Sequence, residues 1–132
     1  MAINEAIKYY LVGICVGFTM MMCCIVAPTL SRTTDKKTFG AIVRQLWPLY
    51  FKSLSICTLI CFSLIYFFEG FHISHMVITL LSSILSFICD KIIPITNLAT
   101  DTGNTRKFKL LHNFSIGCTF IMLISHIVFV LY

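Results

Sequence analysis

The chain has 132 residues, of which 58% are hydrophobic and 11% are charged, and its formal net charge is +5. A water-soluble domain carries about 25% charged residues, so this composition excludes an ordinary soluble surface and indicates lipid as the main solvent. The length allows one domain over residues 1–132, and the sequence shows no nucleophilic triad, no phosphate loop and no indication of nucleic-acid binding.

Four apolar runs follow one another at about 6–30, 46–68, 73–95 and 110–132. A helix needs about 20 mostly apolar residues to cross a bilayer, and each run is long enough. The first run exceeds the core of about 7–15 residues found in a signal peptide, so we interpret it as a retained helix. The runs predict an all-α integral membrane protein, an antiparallel up-down four-helix transmembrane bundle.

The connections between the runs differ in charge. Four cations lie in residues 31–45 and three lie in residues 96–109, whereas residues 69–72 contain no Lys or Arg. Because positive charge marks the cytoplasmic face, the two basic connections are predicted to be cytoplasmic and both termini periplasmic, in a cell inner membrane. Thr33 or Thr34 is a candidate cap for a short surface helix in the first connection, and Pro94 is predicted to end the third helix.

All seven cysteines lie inside the apolar runs. Their odd number and their positions argue against a secreted disulfide framework, and packing is the simpler interpretation. Cys57 and Cys61 share a helix face, but no other metal ligand joins them on it, so metal binding is only weakly indicated. The run from Met20 to Cys24 offers soft sulfur ligands for Cu(I), of which no more than two or three can converge on a helix.

Polar and small residues recur at helical spacing and predict the faces that turn inward. The third helix has such a face in His75, Thr79, Ser82, Ser86 and Asp90, and the fourth has one in His112, Ser115, Thr119, Met122 and His126. The first helix offers Gly13, Gly17, Met21, Cys24 and Pro28, and the second offers Lys52, Ser55 and Leu59 with Pro48. Ordinary helix packing through small residues and hydroxyls is the alternative explanation.

Three ionisable residues fall at one depth. Counting from a turn near Gly70–Phe71 and from the connection near Asp101 places Lys52, Asp90 and His112 in one layer near the cytoplasmic end. An unpaired charge there costs about 2–3 kcal/mol, which pairing of Lys52 with Asp90 would reduce. We therefore predict a site in which His112, Asp90 and Lys52 are catalytic and His112 faces the interior.

Further residues near this layer are candidates for binding a cofactor together with His112. They are Arg44, Asn97, Arg106, Lys109 and Ser115. The alternative for Lys52 and Lys109 is that their long side chains extend to the lipid headgroups without a role in a site. His72 and His75 lie at the outer interface, where solvated loop positions are the simpler explanation, and a packed or interfacial position is expected for His126.

Several stretches resemble a known family. VGFTMMMCCIVAPTL, FGAIVRQLWPLYF, IIPITN and FKLLHNFS are similar to a family of small four-helix membrane proteins. Its bacterial members are classed as a domain of unknown function, and its eukaryotic relative is transmembrane protein 205. The matched positions are Ala27, Pro28, Phe39, Gly40, Pro48, Pro94, Asn97, His112 and Ser115. The resemblance implies transport or trafficking.

The architecture is more distantly similar to HemJ-type protoporphyrinogen oxidase and to copper-resistance D-like bundles. The HemJ type has a histidine in its first helix, and this chain has none there.

Three functions stay open. A basic pocket around His112 suits haem, another porphyrin or a quinone, with cations on carboxylate arms and His112 as axial ligand or proton acceptor. This predicts a membrane oxidoreductase of the protoporphyrinogen oxidase type with an electron-transfer partner. The alternatives are a small-solute or soft-metal transporter, acting as a homo-oligomer, and a membrane assembly factor that holds a partner helix.

Overall fold

The structure, a computed structural model, describes residues 3–68 and 72–131. Helix α1 spans Ile3–Met20 and continues through a π-helical segment, Met21–Val26, into α2, Ala27–Thr33. Three long helices follow, α3 over Lys36–Phe68, α4 over Ile73–Asp101 and α5 over Thr105–Leu131. No strand occurs in the two described ranges. The turn predicted near Gly70–Phe71 lies outside them.

Four helical stretches are long and apolar enough to cross a membrane. They are Glu5–Thr33, Lys36–Phe68, Ile73–Asp101 and Thr105–Leu131. Large apolar side chains cover their outer faces, such as Tyr10 and Leu131, which are 74% and 75% exposed. Lipid is the solvent that tolerates such a surface, so the prediction of a multi-pass helical membrane protein is confirmed.

The connections are shorter than predicted. Helix α3 begins at Lys36 rather than near residue 46, and its cap is Asp35 rather than Thr33 or Thr34. The Asp35 carboxylate accepts bonds from the backbone nitrogens of Lys37 and Thr38 at 3.0 and 3.1 Å and from the Thr38 hydroxyl at 2.6 Å. Helix formation therefore begins within the basic segment, and the short surface helix expected there is the first part of α3.

Helix α4 also runs further than predicted, through Pro94 to Asp101. After its last residue, Asp101, Gly103 has a φ of +66°, and Asn104 N donates to the Ala99 carbonyl at 2.8 Å. A left-handed glycine after the last turn lets the chain reverse without a steric cost. Because Asn104 then accepts a bond from Lys107 N at 3.0 Å, α5 starts at once.

The helices pack in a ring. Helix α3 packs on α4, α4 packs on α5, and α1 contacts both α3 and α5. Tyr50 of α3 donates its hydroxyl to Thr19 Oγ1 of α1 at 2.9 Å, and Ser55 of α3 donates to the Ser83 carbonyl of α4 at 3.2 Å. Polar contacts of this kind hold neighbouring membrane helices together.

Two of the predicted inward faces are wrong. On the first span Gly13, Gly17, Met21 and Cys24 are exposed, and the buried residues are instead Lys8, Val12, Cys15, Thr19 and Met22. On α3, Lys52 and Leu59 are exposed, and the buried face is Tyr50, Phe51, Leu54, Thr58, Cys61 and Ile65. Burying rings and branched chains gives more packing contacts than burying glycines, and on α3 it leaves the charge of Lys52 outside.

Candidate functional site

The predicted layer of Lys52, Asp90 and His112 does not form inside the bundle. Asp90 is buried, with 9% of its surface exposed, but Lys52 and His112 are both exposed. The nearest ionic partner described for Asp90 is its neighbour Lys91, whose Nζ lies 3.8 Å from Oδ2. The expectation that His112 faces the interior is therefore wrong, whereas any catalytic role of the three residues stays a prediction.

The predicted cofactor ligands are dispersed as well. Arg106 and Lys109 are exposed, and Asn97 and Ser115 are half-buried. Arg44 makes a two-pronged contact with the Asp101 carboxylate, with its Nη1 3.0 Å from Oδ2 and its Nη2 on Oδ1. This pair joins the start of α3 to the end of α4. We call this end of the bundle, which carries Lys36, Lys37, Arg106, Lys107 and Lys109, the basic end, and the opposite end, near His72, the far end.

His112 has one close aromatic neighbour. Its ring stacks on that of Phe108 at 5.4 Å between centroids with 10° between the planes. Both belong to the first turns of α5, beside Arg106, Lys107 and Lys109. The result is a stacked pair at the basic end in which the His112 ring is exposed and the Phe108 ring is half-buried.

A groove of about 580 Å³ lies elsewhere at this end, on the outer surface of α3. Its lining consists of Lys37, Thr38, Ala41, Ile42, Gln45, Leu46 and Leu49. None of the predicted site residues belongs to this lining, so the groove is not the predicted pocket.

The polar face predicted on α4 is confirmed. His75, Thr79, Ser82, Ser86 and Asp90 are all buried. Their hydroxyls mostly bond to the same helix, since Thr79 donates to the His75 carbonyl at 2.8 Å and Ser86 donates to the Ser82 carbonyl at 2.7 Å. Hydroxyls satisfied in this way fit inside a membrane bundle without a partner helix, so this face by itself is explained by packing.

Cysteine and methionine side chains share one core cluster of the bundle with Tyr50, Phe51, Leu54 and Ile93. The cluster contains Cys15, Met22, Cys89, Cys118 and Met122, and Cys57 packs against it. All four spans contribute to this set, which we call the sulfur cluster. The side chains of Cys15 and Cys57 interact across the first span and α3, and those of Cys89 and Cys118 interact across α4 and α5. The four cysteines of this set are free thiols.

The donor run predicted at Met20–Cys24 contributes only one member to this set. Met22 is buried, whereas Met20, Met21, Cys23 and Cys24 are exposed. Adjacent helix residues point about 100° apart, so a run of sulfur residues cannot converge. The sequence signal for the sulfur cluster was instead one Cys or Met in each apolar run, which we interpreted as packing.

The far end holds a second group of buried polar side chains. His126 is 1% exposed, His75 is 4% exposed and Lys8 is 3% exposed. The His75 ring stacks on Phe129 at 4.0 Å between centroids, and Lys8 Nζ lies 5.1 Å from the centre of the Tyr9 ring. Within the described residues neither ring nitrogen of His126 has a hydrogen-bond partner. His75 is therefore buried, as the predicted inward face of α4 requires, and the alternative that it is a solvated loop residue is wrong.

A centre for a divalent ion is not formed by these groups. In residues 3–68 and 72–131, no three His, Cys, Asp or Glu side chains converge as metal ligands would. The interior instead offers pairs of thiols, two thioethers and one unpartnered imidazole.

Long apolar helices around a packed core define a multi-pass membrane protein built as a four-helix bundle. The family model described as "Domain of unknown function (DUF4149)" matches residues 10–93, which is more than half of the chain, and the protein belongs to this family. No curated protein and no solved structure matches the chain. The resemblances to transmembrane protein 205 and to HemJ-type enzymes stay predictions.

Proposed function

We propose that this protein binds a soft monovalent metal ion, of the Cu(I) or Ag(I) class, within its helix bundle and transfers it through the membrane. The observation that supports this is the sulfur cluster, to which all four spans contribute a cysteine or a methionine. Thiolate and thioether ligands select soft ions over the hard ions that are common in cells. Packing alone requires only small or flexible side chains, and it does not explain why thiols face thiols across two separate helix pairs.

Charge balance favours a monovalent ion. A membrane interior strongly disfavours net charge. One thiolate and one neutral sulfur around a monovalent cation form a complex without net charge, and the cysteine proton leaves to the bulk solvent as the ion binds. A divalent ion such as Zn²⁺ takes four ligands in structural sites, which the described residues do not bring together.

Silver binding tests the proposal, because Ag⁺ is a probe of soft sites that does not change its redox state. We expect the purified protein in detergent micelles to bind Ag⁺ in competition with a thiol chelator. The variant Cys89→Ser plus Cys118→Ser should lose at least tenfold in affinity. Its matched control is Cys23→Ser plus Cys24→Ser, which alters two exposed thiols. Equal losses in the two variants, or no binding by the unmodified protein, would refute the proposal.

Transfer requires a separate measurement. Protein reconstituted into sealed vesicles should speed entry of Ag⁺ to an internal thiol dye, and the Cys89→Ser plus Cys118→Ser variant should abolish the gain. Binding without faster entry would reduce the proposal to storage or delivery of the ion.

The antiparallel up-down arrangement is part of this proposal. It is supported by contacts in which residue numbers rise on one helix as they fall on the next. Tyr50, Cys57 and Cys61 of α3 contact Thr19, Leu11 and Lys8 of α1 in that order. We also propose that the basic end is cytoplasmic and that the far end faces the periplasm, because Lys and Arg concentrate on the cytoplasmic side of inner-membrane proteins. Reporter fusions after residue 131 test this orientation.

A second candidate is a flat anionic ligand, a porphyrin or a quinone, at the basic end. It is supported by the stack of Phe108 on His112 beside exposed cations. Arg106 and Lys109 would bind carboxylate arms as charge-assisted pairs, and His112 would act as ligand or proton acceptor. The surface rather than the interior of the bundle would form this site. An absorption band from a copurified ligand that disappears in His112→Ala would support it, and a colourless protein from haem-rich cells would exclude haem.

A further inference from the structure

Three metal-binding side chains lie in one line on α5. Cys118, Met122 and His126 follow each other at intervals of four residues and are 5%, 2% and 1% exposed. Each step rises about 6 Å, so the line covers about 12 Å of the membrane. Side chains four residues apart on a helix are neighbours, and two ligands at this spacing can hold one metal ion, as in the zinc helices of metalloproteases.

The middle member of this line can accept an ion at little cost. The Ser86 hydroxyl oxygen lies 3.1 Å from Met122 Sδ and 2.7 Å from the Ser82 carbonyl oxygen, and its single proton can bond to either acceptor. If an ion takes the sulfur lone pair, the Ser86 proton keeps its backbone acceptor. The exchange therefore replaces one weak contact and leaves no buried donor unsatisfied.

The last member of the line, His126, is a buried imidazole with a nitrogen lone pair available to bind an ion. Within the described residues, both nitrogens of His126 lack a hydrogen-bond partner, and a buried polar atom in that state destabilises the fold. A metal ion on one nitrogen removes part of this cost. The imidazole lies one helical turn from Met122, so one ion can bind both the His126 nitrogen and the Met122 sulfur.

We infer that the ion path runs along α5, from Cys118 through Met122 to His126, with His126 as its one nitrogen ligand; this inference rests on the proposed function. At Cys118 and Met122 the ion lies between a thiolate and a thioether, and the thiol proton goes to bulk solvent. Cys89 remains a thiol beside Cys118 and can donate to its sulfur.

The position between Met122 and His126 differs in charge from the position between Cys118 and Met122, and it therefore differs in affinity for the ion. Met122 and His126 are both neutral ligands, so the ion there keeps its positive charge and is held more weakly than by the thiolate. His126 lies five residues from Leu131, the last residue of α5, which places the weaker position near the far end. When the ion moves to it, Cys118 recovers a proton from solvent. A strong central position followed by a weak outer one allows release.

X-ray absorption at the silver edge tests this inference on the full-length chain in micelles, with Ag⁺ as the only added metal. Because the stronger position binds through sulfur alone, we expect sulfur neighbours in the unmodified protein and one Ag⁺ with sulfur and nitrogen neighbours in Cys118→Ser, where only the position of Met122 and His126 remains; the further variants are made in the Cys118→Ser background. His126→Phe should lose the nitrogen signal and still bind Ag⁺, and Met122→Leu should bind at least tenfold more weakly. His75→Phe is the matched control, because it removes another buried imidazole at the same end, and its nitrogen signal should persist.

The other possible results separate failure of this inference from failure of the proposed function. Silver bound through sulfur alone in Cys118→Ser, or a nitrogen signal that survives when His126→Phe is added, overturns this inference and leaves the proposed function intact. No silver bound by the unmodified protein overturns both. Variants are compared only if they elute as monodisperse, helical protein, and His126→Gln replaces His126→Phe if the latter does not.

Discussion

The hydrogen bond between Tyr50 and Thr19 gives the sharpest test of how the first span is held on α3. Tyr50→Phe removes only the hydroxyl, which lies 2.9 Å from Thr19 Oγ1. The ring keeps its contacts with Phe18 and Phe51, at 5.3 and 4.9 Å between centroids. Hydrogen bonds between membrane helices contribute about 0.6 kcal/mol on average and at most about 1.7 kcal/mol. Because both residues are 3% exposed and no lipid or water replaces the partner, we expect about 1 kcal/mol.

Reversible unfolding in mixed micelles with increasing dodecyl sulfate measures this free energy. Tyr50→Phe, Thr19→Val and the double variant form a cycle, and the coupling energy should be about 1 kcal/mol. Ser63→Ala is the control, because the Ser63 hydroxyl bonds only to the Leu59 carbonyl of its own helix, at 2.9 Å. Losses in the cycle that add to within about 0.3 kcal/mol would show that the two hydroxyls act independently and that the contact does not hold the helices together.

Three further predictions concern the connections at the basic end. The bonds from the Thr38 hydroxyl and from backbone nitrogens lower the pKa of Asp35. The contribution of Asp35 to stability is therefore present above the pKa of this group in the unfolded chain and is lost as pH falls through its pKa in the folded chain. Thermal unfolding midpoints between pH 7 and pH 3 should show this loss, and Asp35→Asn should make the midpoint less dependent on pH. Gly103→Ala places a side chain at a φ of +66° and should cost about 1–2 kcal/mol in the same unfolding assay, whereas Gly103→Asn should cost less. Arg44→Gln removes an exposed ion pair with Asp101 and should lower stability only slightly, less than Gly103→Ala, with an effect that shrinks in high salt; a larger, salt-independent loss would contradict a solvent-screened pair.

The sequence was informative where the polar pattern was dense. On α4 five polar residues recur at three- and four-residue spacing, and a short carboxylate such as Asp90 cannot reach water from inside the membrane. The face had to turn inward, and it does. The number of spans was equally predictable, because hydrophobic length in a bilayer is a direct constraint.

Prediction was wrong where a polar residue had another way to be solvated. The long chain of Lys52 can extend along its helix to the headgroups, and His112 stacks on Phe108 at the surface. Neither residue needs an interior position to be solvated, so the equal depth predicted from the sequence did not place them in contact with Asp90. The helix ends were misjudged for a related reason, since a proline such as Pro94 is tolerated within a membrane helix when its surroundings satisfy the freed carbonyl.

The sulfur cluster was not predicted as a site from the sequence, for a different reason. A cysteine or methionine is an ordinary packing residue when it is considered alone. Only the contacts between helices bring Cys15 to Cys57 and Cys89 to Cys118. These contacts depend on the rotation of each helix about its axis, which the spacing of one run does not determine.

The length of α3 has a consequence for how the protein sits in lipid. Its 33 residues give about 50 Å of helix, whereas the hydrocarbon layer is about 30 Å thick. The first ten residues, Lys36–Gln45, precede the apolar part and form a rigid cationic extension of about 15 Å. Tilt and bilayer thickness together decide how much of that extension reaches water. A thicker membrane would draw it inward against the cost of its charges, so lipid composition would influence where this protein resides.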